Sequence, residues 1–230
     1  MNELIIHSTF FGVFISVAAY EIGVMLKNRY KLAILNPLLI AIVLVVIVLQ
    51  VGKIDYESYN LGAKYLSYLL TPATVCLAIP LYEQFELLKE NWKAIIAGII
   101  SGVIVSLISV LGLAVLFGLS HEEYITFLPK SITTAIGMGV SQELGGYVPI
   151  TVAVIIITGV LGNIIAEMVF KLFHIEESIA KGIGAGTSAH AIGTAKAMEL
   201  GEVEGAMSSL SIVVAGLFTV IGATIFSYFM

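Results

Sequence analysis

Two stretches of this chain repeat one another at a distance of 56 residues. Residues 131–146 align without gaps to residues 187–202, and six of the aligned positions are identical. Each copy begins with hydroxyl side chains, contains the string Glu-Leu-Gly, and is followed by an apolar run, at about 148–170 and 206–230. Polar, glycine-interrupted segments in matching places of an internal repeat indicate a transporter binding site. The alternative is two ordinary helices that share a bias toward glycine and alanine.

The composition places this repeat in a membrane. Of the 230 residues, 59% are hydrophobic and 12% are charged, and the mean hydropathy is +1.03. Because so few charges cannot cover a water-soluble globule, we predict a multi-pass integral membrane protein. We predict an all-α fold, since helices satisfy their own backbone polar groups in lipid. The net charge of −5 does not set the orientation, which depends on where lysine and arginine lie.

The sequence also excludes several classes of protein. Cys76 is the single cysteine, so no intrachain disulfide framework can form and no cysteine-based metal site is expected. The chain has no basic nucleic-acid surface, no P-loop and no zinc motif. Residues 1–26 lack the features of a cleavable signal peptide. We therefore expect no enzymatic activity, no cofactor and no metal, and we treat residues 1–230 as one domain.

Apolar runs divide the chain into predicted membrane spans, for which about 20 residues are needed. We assign residues 1–118 to a scaffold and residues 120–230 to a core of two repeats, 125–170 and 182–230. Pro72 and Pro80 interrupt one span, which we expect to be either kinked or discontinuous. The predicted spans are residues 5–26, 33–51, 61–82, 94–118, 149–170 and 206–230.

The basic residues suggest how the chain is oriented. The cluster 27–31 is expected in the cytoplasm, which places the N-terminus outside the cell. If residues 125–146 enter the membrane and return, Lys171 and Lys181 are also cytoplasmic; if they cross it, both lysines lie outside. The positive-inside rule favours re-entry. Residues 182–202 then enter from the cytoplasmic side, the C-terminus lies outside, and the two repeats are inverted.

In this arrangement two helix N-termini meet near the middle of the membrane. Their free N–H groups and the positive ends of their dipoles favour an anion. Hydroxyl, amide and imidazole groups nearby suit a small carboxylate that bears a hydroxyl or keto oxygen. For the serines and threonines, the alternative is a hydrogen bond to a carbonyl of their own helix. The predicted substrate-binding residues are Ser131, Thr133, Thr134, Gln142, Thr187, Ser188, His190 and Thr194.

Other polar side chains are candidates for a coupled proton or cation. An intramembrane imidazole titrates near neutral pH, so His190 belongs to this group as well. Asn163 and Glu167 share a helix face, and a polar contact between helices is their alternative role. Lys196 can instead extend toward the cytoplasm. Glu143 and Glu199, at helix ends, can instead pair with Lys196 or simply be solvated. The candidates are His190, Glu143, Asn163, Glu167, Lys196 and Glu199.

Three longer strings resemble the LrgB/CidB family. They lie at residues 72–82, 129–146 and 184–197, and the resemblance extends over nearly the whole chain. It implies a holin/antiholin-like membrane protein linked to murein hydrolase export and cell lysis. It also implies small-monocarboxylate transport, because similar proteins are implicated in pyruvate uptake and a plastid relative moves glycolate and glycerate. An LrgA/CidA-like membrane partner is implied in addition. The resemblance supplies no agreed binding residues.

These observations lead to two functional expectations. The first is a secondary transporter of small monocarboxylates such as pyruvate, glycolate, glycerate or lactate, in the cell membrane, with proton coupling as an option. The alternative is a holin/antiholin-like pore-former or a regulator of a partner membrane protein. Besides membrane lipid, the expected partners are a carboxylate substrate and the LrgA/CidA-like protein, with self-association left open. No nucleic-acid partner is expected.

Overall fold

The computed structural model describes residues 10–30, 32 and 35–230. Within these residues every regular element is helical and no strand occurs, which confirms the all-α fold class. Residues 5–9 of the first predicted span lie outside the described residues. The N-terminus, Lys31, Ala33 and Ile34 lie outside them as well. The extracytoplasmic position of the N-terminus therefore stays a prediction.

The described residues up to Cys76 belong to a first compact unit. Glycines bring its helices close together, because Gly12 lies against the backbone of Tyr59 and Gly23 lies against Pro37, with no room for a Cβ atom. The Asn36 side chain accepts a hydrogen bond from the Leu38 N–H at 2.9 Å and so caps the second helix. The helices of this unit are α1 (Phe11–Tyr30), α2 (Pro37–Gly52), α3 (Tyr56–Ser67) and α4 (Leu70–Cys76).

The predicted span 61–82 is divided among three helices, with interruptions at residues 68–69 and at residue 77. α3 ends at Ser67, α4 ends at Cys76, and α5 (Ala78–Glu83) follows. Pro72 and Pro80 are each the third residue of a short helix, where a missing N–H breaks no intrahelical hydrogen bond. Tyr68 and Leu77, at the two interruptions, keep right-handed helical dihedrals, as in a helix kinked at proline, so a discontinuous span stays a prediction.

Residues 77–230 form a second compact unit. One face of its long helix α6 provides much of the apolar core, with buried Ile95, Ile99, Val103 and Leu107 at helical spacing. Although α6 packs within this unit, the functional division at residue 118 between scaffold and core stays a prediction. After α5 the unit contains α6 (Phe85–Phe117), α7 (His121–Phe127), α8 (Thr134–Leu144), α9 (Val148–Leu172), α10 (Ser178–Leu200), α11 (Glu202–Phe226) and the 3₁₀ turn Ser227–Phe229.

Five stretches of the described residues are long and apolar enough to cross a membrane, judged by length and composition. The α2 helix is apolar but shorter, at 16 residues. The observed helices α6, α9 and α11 cover the predicted spans 94–118, 149–170 and 206–230 almost completely. The chain is thus a multi-pass membrane protein. The five stretches are Phe11–Tyr30, Tyr56–Glu83, Phe85–Phe117, Val148–Leu172 and Glu202–Phe229.

The α7 and α8 helices form a hairpin. The Tyr147 N–H donates to Thr126 Oγ1 at 2.8 Å, and Thr151 Oγ1 donates to the Thr126 carbonyl at 3.0 Å. Because Thr126 lies near the end of α7 while Tyr147 and Thr151 follow α8, the chain returns after α8 to the end of α7. It ends at Gly145, whose φ of 90° is a conformation that glycine adopts without steric cost.

The α10 helix is broken at Ala189 and His190, whose backbone dihedrals are not helical. Beyond the break, Gly193 lies directly against the Ala185 carbonyl. In one continuous helix these residues would be about 12 Å apart along the axis, so the chain folds back on itself. We call the two halves of this second hairpin the first arm (178–188) and the second arm (191–200).

Contacts in the two hairpins recur at the 56-residue spacing of the sequence repeat. Thr126 contacts Thr151 in the first hairpin. The residues 56 positions later are Gly182 and Met207, and a Cβ atom at Gly182 would lie 2.7 Å from the Met207 Cβ. The repeat in sequence therefore corresponds to a repeat of helix, break, helix and long helix. Entry of the two hairpins from opposite sides of a membrane stays a prediction.

A cysteine in the loop between α9 and α10 tests that orientation. Re-entry of residues 125–146 places Lys171 and Lys181 in the cytoplasm. We therefore expect Glu176→Cys, in a Cys76→Ser background, to react with a membrane-impermeant maleimide only when the cytoplasmic face is opened. Both Glu176 and Cys76 are exposed, so the probe can reach the new thiol and the native one must be removed. Labelling of intact cells would rule out the inverted arrangement.

Candidate functional site

The breaks of the two hairpins meet beside the middle of α6. Ser131, in the break of the first hairpin, has its Oγ 3.1 Å from Ser106 Oγ on α6. Thr187, near the end of the first arm, packs on Gly102, where an added Cβ atom would lie 2.6 Å from Thr187 Cγ2. Gly102 and Ser106 are about one helical turn apart, so the two breaks approach the same part of α6.

The α9 helix contacts both breaks as well. Its Ile155 carbonyl accepts a hydrogen bond from His190 Nε2 at 3.0 Å, and the Ile155 side chain packs on Gly137 in the first turn of α8. Gly162 lies against Ala189. With 25 residues, α9 is about 38 Å long, and these contacts lie near its centre. If α9 spans a membrane, both breaks lie close to mid-depth.

A cavity of about 660 Å³ opens where the breaks meet. Its walls come from α6, α9, the first arm of α10 and the break between α7 and α8. Most of the remaining wall is formed by apolar side chains and glycines. The polar residues that line it are Ser106, Ser109, Lys130, Ser131, Thr158, Thr187 and Ser188.

Lys130 is the charged residue of this cavity. Its Nζ donates to Ser131 Oγ at 3.0 Å. In the described part of the chain, no other charged residue lines the cavity and no ion pair includes Lys130. An ammonium group held away from a carboxylate in a largely apolar cavity attracts an anion.

Sequence reasoning did not select Lys130 as a site residue. The prediction was built on hydroxyl groups at helical spacing, and Lys130 lies in the non-helical break before α8. The available signal was its position between two apolar segments, because an ionisable residue at membrane depth by itself indicates function.

Three of the predicted binding residues, Ser131, Thr187 and Ser188, line the cavity. Thr187 Oγ1 donates to the Ile183 carbonyl and Ser188 Oγ donates to the Gly184 carbonyl, each at 2.6 Å. This is the alternative foreseen for hydroxyls in membrane helices. The second arm also begins after the break at 189–190, later than predicted, so Thr187 and Ser188 close the first arm instead of capping the second.

Other predicted residues of the first repeat lie outside the cavity lining. Thr133 precedes α8 without making a side-chain capping bond, and Thr134 is the first residue of that helix. Gln142 and Glu143 are exposed near the end of α8. These four residues therefore do not share the cavity lining with Ser131, and their roles in binding or coupling stay predictions.

His190 and Thr194 are buried at the break of α10. Besides its bond to the Ile155 carbonyl, His190 packs its ring against Gly159. Thr194 Oγ1 donates to the His190 carbonyl at 3.0 Å. These contacts hold His190 at φ 43°, a conformation that costs about 1–3 kcal/mol for a residue with a side chain. Neither residue lines the cavity. A role for either in ligand or proton binding stays a prediction.

The remaining coupling candidates connect the second arm to α9. Lys196 Nζ lies 2.5 Å from Glu167 Oε1 and 3.1 Å from Glu199 Oε2, and its side chain is only 14% exposed. Asn163 Nδ2 donates to the Ile192 carbonyl at 2.9 Å. Asn163 and Glu167 thus make polar contacts between helices, which was their alternative role. Ion coupling at these residues stays a prediction.

Comparison with known proteins identifies the family of this chain. The LrgB-like family model matches residues 16–229. Two relatives, from Bacillus cereus (strain B4264) and Bacillus anthracis (strain A0248), are each named Antiholin-like protein LrgB. Each is 38% identical over 222 residues, which covers 96% of this chain and 96% of the relative. No solved structure matches the chain. The chain belongs to the LrgB-like family, which confirms the resemblance found in its sequence.

Proposed function

We propose that this protein is a secondary transporter that carries small monocarboxylates across the cell membrane. Lys130 carries the proposal, because its ammonium group lines a cavity at mid-length of α6 and α9. Among the described residues, its side chain has a hydroxyl partner, Ser131, and no ion-pair partner.

The energetics of a half-buried ammonium group support an anionic ligand. Removing a charge from water is costly unless a counter-charge and hydrogen bonds replace the lost hydration. A carboxylate beside Lys130 supplies both, since the ammonium has three N–H donors and Ser131 offers a hydroxyl. Ligand binding therefore neutralises a charge that the protein by itself leaves without an ion pair.

The broken helices support transport as well. Irregular backbone at membrane depth is tolerated where it is surrounded by protein or lines a cavity. In secondary transporters, discontinuous helices of repeated units form the substrate site near the midplane. The two hairpins of this chain have that pattern, since their breaks contact the same parts of α6 and α9.

A holin/antiholin-like role is the second candidate function, and the names of the two Bacillus relatives favour it. In that role the protein controls murein hydrolase export and cell lysis through contact with a membrane partner. Such a regulator has no need for a cavity that holds a carboxylate. An LrgA/CidA-like partner is part of our proposal for either role.

Uptake into proteoliposomes separates the two functions. We expect saturable uptake of labelled pyruvate, glycolate, glycerate or lactate, measured with and without a pH gradient across the membrane. Protein-free liposomes and an entrapped fluorescent dye serve as controls for leakage. Release of the dye together with the carboxylate would indicate a pore. Absence of uptake of all four compounds by folded protein would contradict the transport proposal.

A further inference from the structure

The wall of the cavity changes in character along α6. At one end Ser106 contacts Ser131, whose hydroxyl also accepts the hydrogen bond from Lys130. Two turns earlier on α6, at a distance of about 12 Å along the axis, Gly98 lies against the apolar side chain of Ile183. Phe170 also lines the cavity. The polar groups near Lys130 are thus followed by a wall of glycine and hydrocarbon.

The cavity is larger than the smallest monocarboxylates require. Its volume of about 660 Å³ lies within the range of about 300–1,000 Å³ that is typical of pockets for drug-sized ligands. Pyruvate, by contrast, has six non-hydrogen atoms. A ligand of that size bound at Lys130 leaves most of the apolar wall uncovered, whereas a hydrocarbon chain on the same carboxylate would cover it.

The charges of the cavity limit the ligand to one carboxylate. Among the described lining residues, Lys130 is the single charged side chain. The hydroxyl protons of Thr187 and Ser188 are donated to carbonyls of their own helix. A second carboxylate therefore meets no second cation and few available donors, and its desolvation is not compensated.

We infer that the cavity prefers a monocarboxylate with an apolar chain, bound with its carboxylate at Lys130 and its chain along α6, over dicarboxylates and over shorter acids. The inference rests on the proposed function and specifies its substrate class. Val105 lines the cavity one residue before Ser106. It belongs to the part of the wall that the apolar chain of the ligand contacts.

Competition against labelled pyruvate tests this preference on the purified protein in nanodiscs. The competitors are acetate, butyrate, hexanoate, octanoate and succinate. We expect roughly three- to fourfold tighter binding per added methylene group until the apolar wall is covered. Succinate is expected to bind at least tenfold more weakly than butyrate, which has the same number of carbon atoms.

Two phenylalanine variants test where the hydrocarbon chain of the ligand lies. Val105→Phe narrows the cavity and should reduce the gain in affinity from acetate to hexanoate. Val115→Phe is the matched control, because Val115 is on the same helix, equally exposed at 65%, and outside the cavity lining. A chain-length gain that is identical in both variants would reflect partition into lipid and overturn the inference.

The remaining outcomes separate this inference from the proposed function. If pyruvate binds through Lys130 but affinity does not rise with chain length, the preference is wrong and the transport proposal stands. If succinate competes as well as butyrate, the limit to one carboxylate is wrong. If no carboxylate binds to the folded protein, both the inference and the proposed function are overturned.

Discussion

Lys130→Gln is expected to remove most of the affinity for carboxylates while leaving the protein folded. Loss of one partner of a desolvated charge pair costs about 2–5 kcal/mol, which corresponds to a roughly 30-fold to several-thousandfold rise in Kd. Without ligand, the structure pairs Lys130 with the Ser131 hydroxyl and not with a carboxylate. Removal of the ammonium group therefore relieves a desolvation cost, and thermal stability should be unchanged or higher. Equilibrium binding of labelled pyruvate and thermal unfolding, both in nanodiscs, measure the two effects.

Two further lysine variants distinguish a ligand contact from a general effect of charge. Lys93→Gln removes an exposed lysine at the start of α6 and should leave the Kd unchanged. Lys130→Arg keeps the positive charge with a different shape, and we expect it to retain part of the affinity. An unchanged Kd in Lys130→Gln would show that Lys130 does not hold the carboxylate. A joint loss of binding and of stability would instead indicate a structural lysine.

The local pattern of the sequence indicated the repeat and the ends of its helices, whereas re-entry of the two segments into the membrane stays a prediction. Hydroxyls before a run of small residues, and Glu-Leu-Gly at its end, are signals that act within one or two turns. They predicted that the helix begins near Ser131 and ends at Gly145; α8 begins three residues later, at Thr134, and ends before Gly145. In the second copy, the hydroxyl of Thr187 bonds within the first arm, and the break follows at Ala189 and His190.

Long-range contacts could not be predicted in the same way. The apolar period of α6 does not indicate which of its turns meets the hairpin breaks. The turn of α6 that meets the breaks is set by close packing, such as that of Thr187 on Gly102. This packing also places Ser106 in the cavity. The ion pair of Lys196 with Glu167 likewise joins two helices whose register is set by their tertiary packing.

Two glycine substitutions on the first arm are expected to have opposite effects on stability. A Cβ atom at Gly186 would lie 2.5 Å from the Ser208 carbonyl oxygen, so Gly186→Ala should destabilise the protein by about 1–3 kcal/mol through overpacking. At Gly184 the nearest atom would be Phe170 Cε1, at an ordinary 3.7 Å. Gly184→Ala should therefore be neutral or stabilise the helix by up to about 1 kcal/mol. Thermal unfolding in detergent compares the two variants.

This comparison isolates packing from backbone freedom, because the two glycines lie two residues apart in the same helical arm and neither has a positive φ. If both variants lose the same stability, the first arm needs glycine for its backbone and not for its contact with α11. If Gly186→Ala is as stable as the parent protein, the first arm can move away from Ser208 without cost. That result would contradict the tight packing of α10 on α11, which holds Thr187 at the cavity.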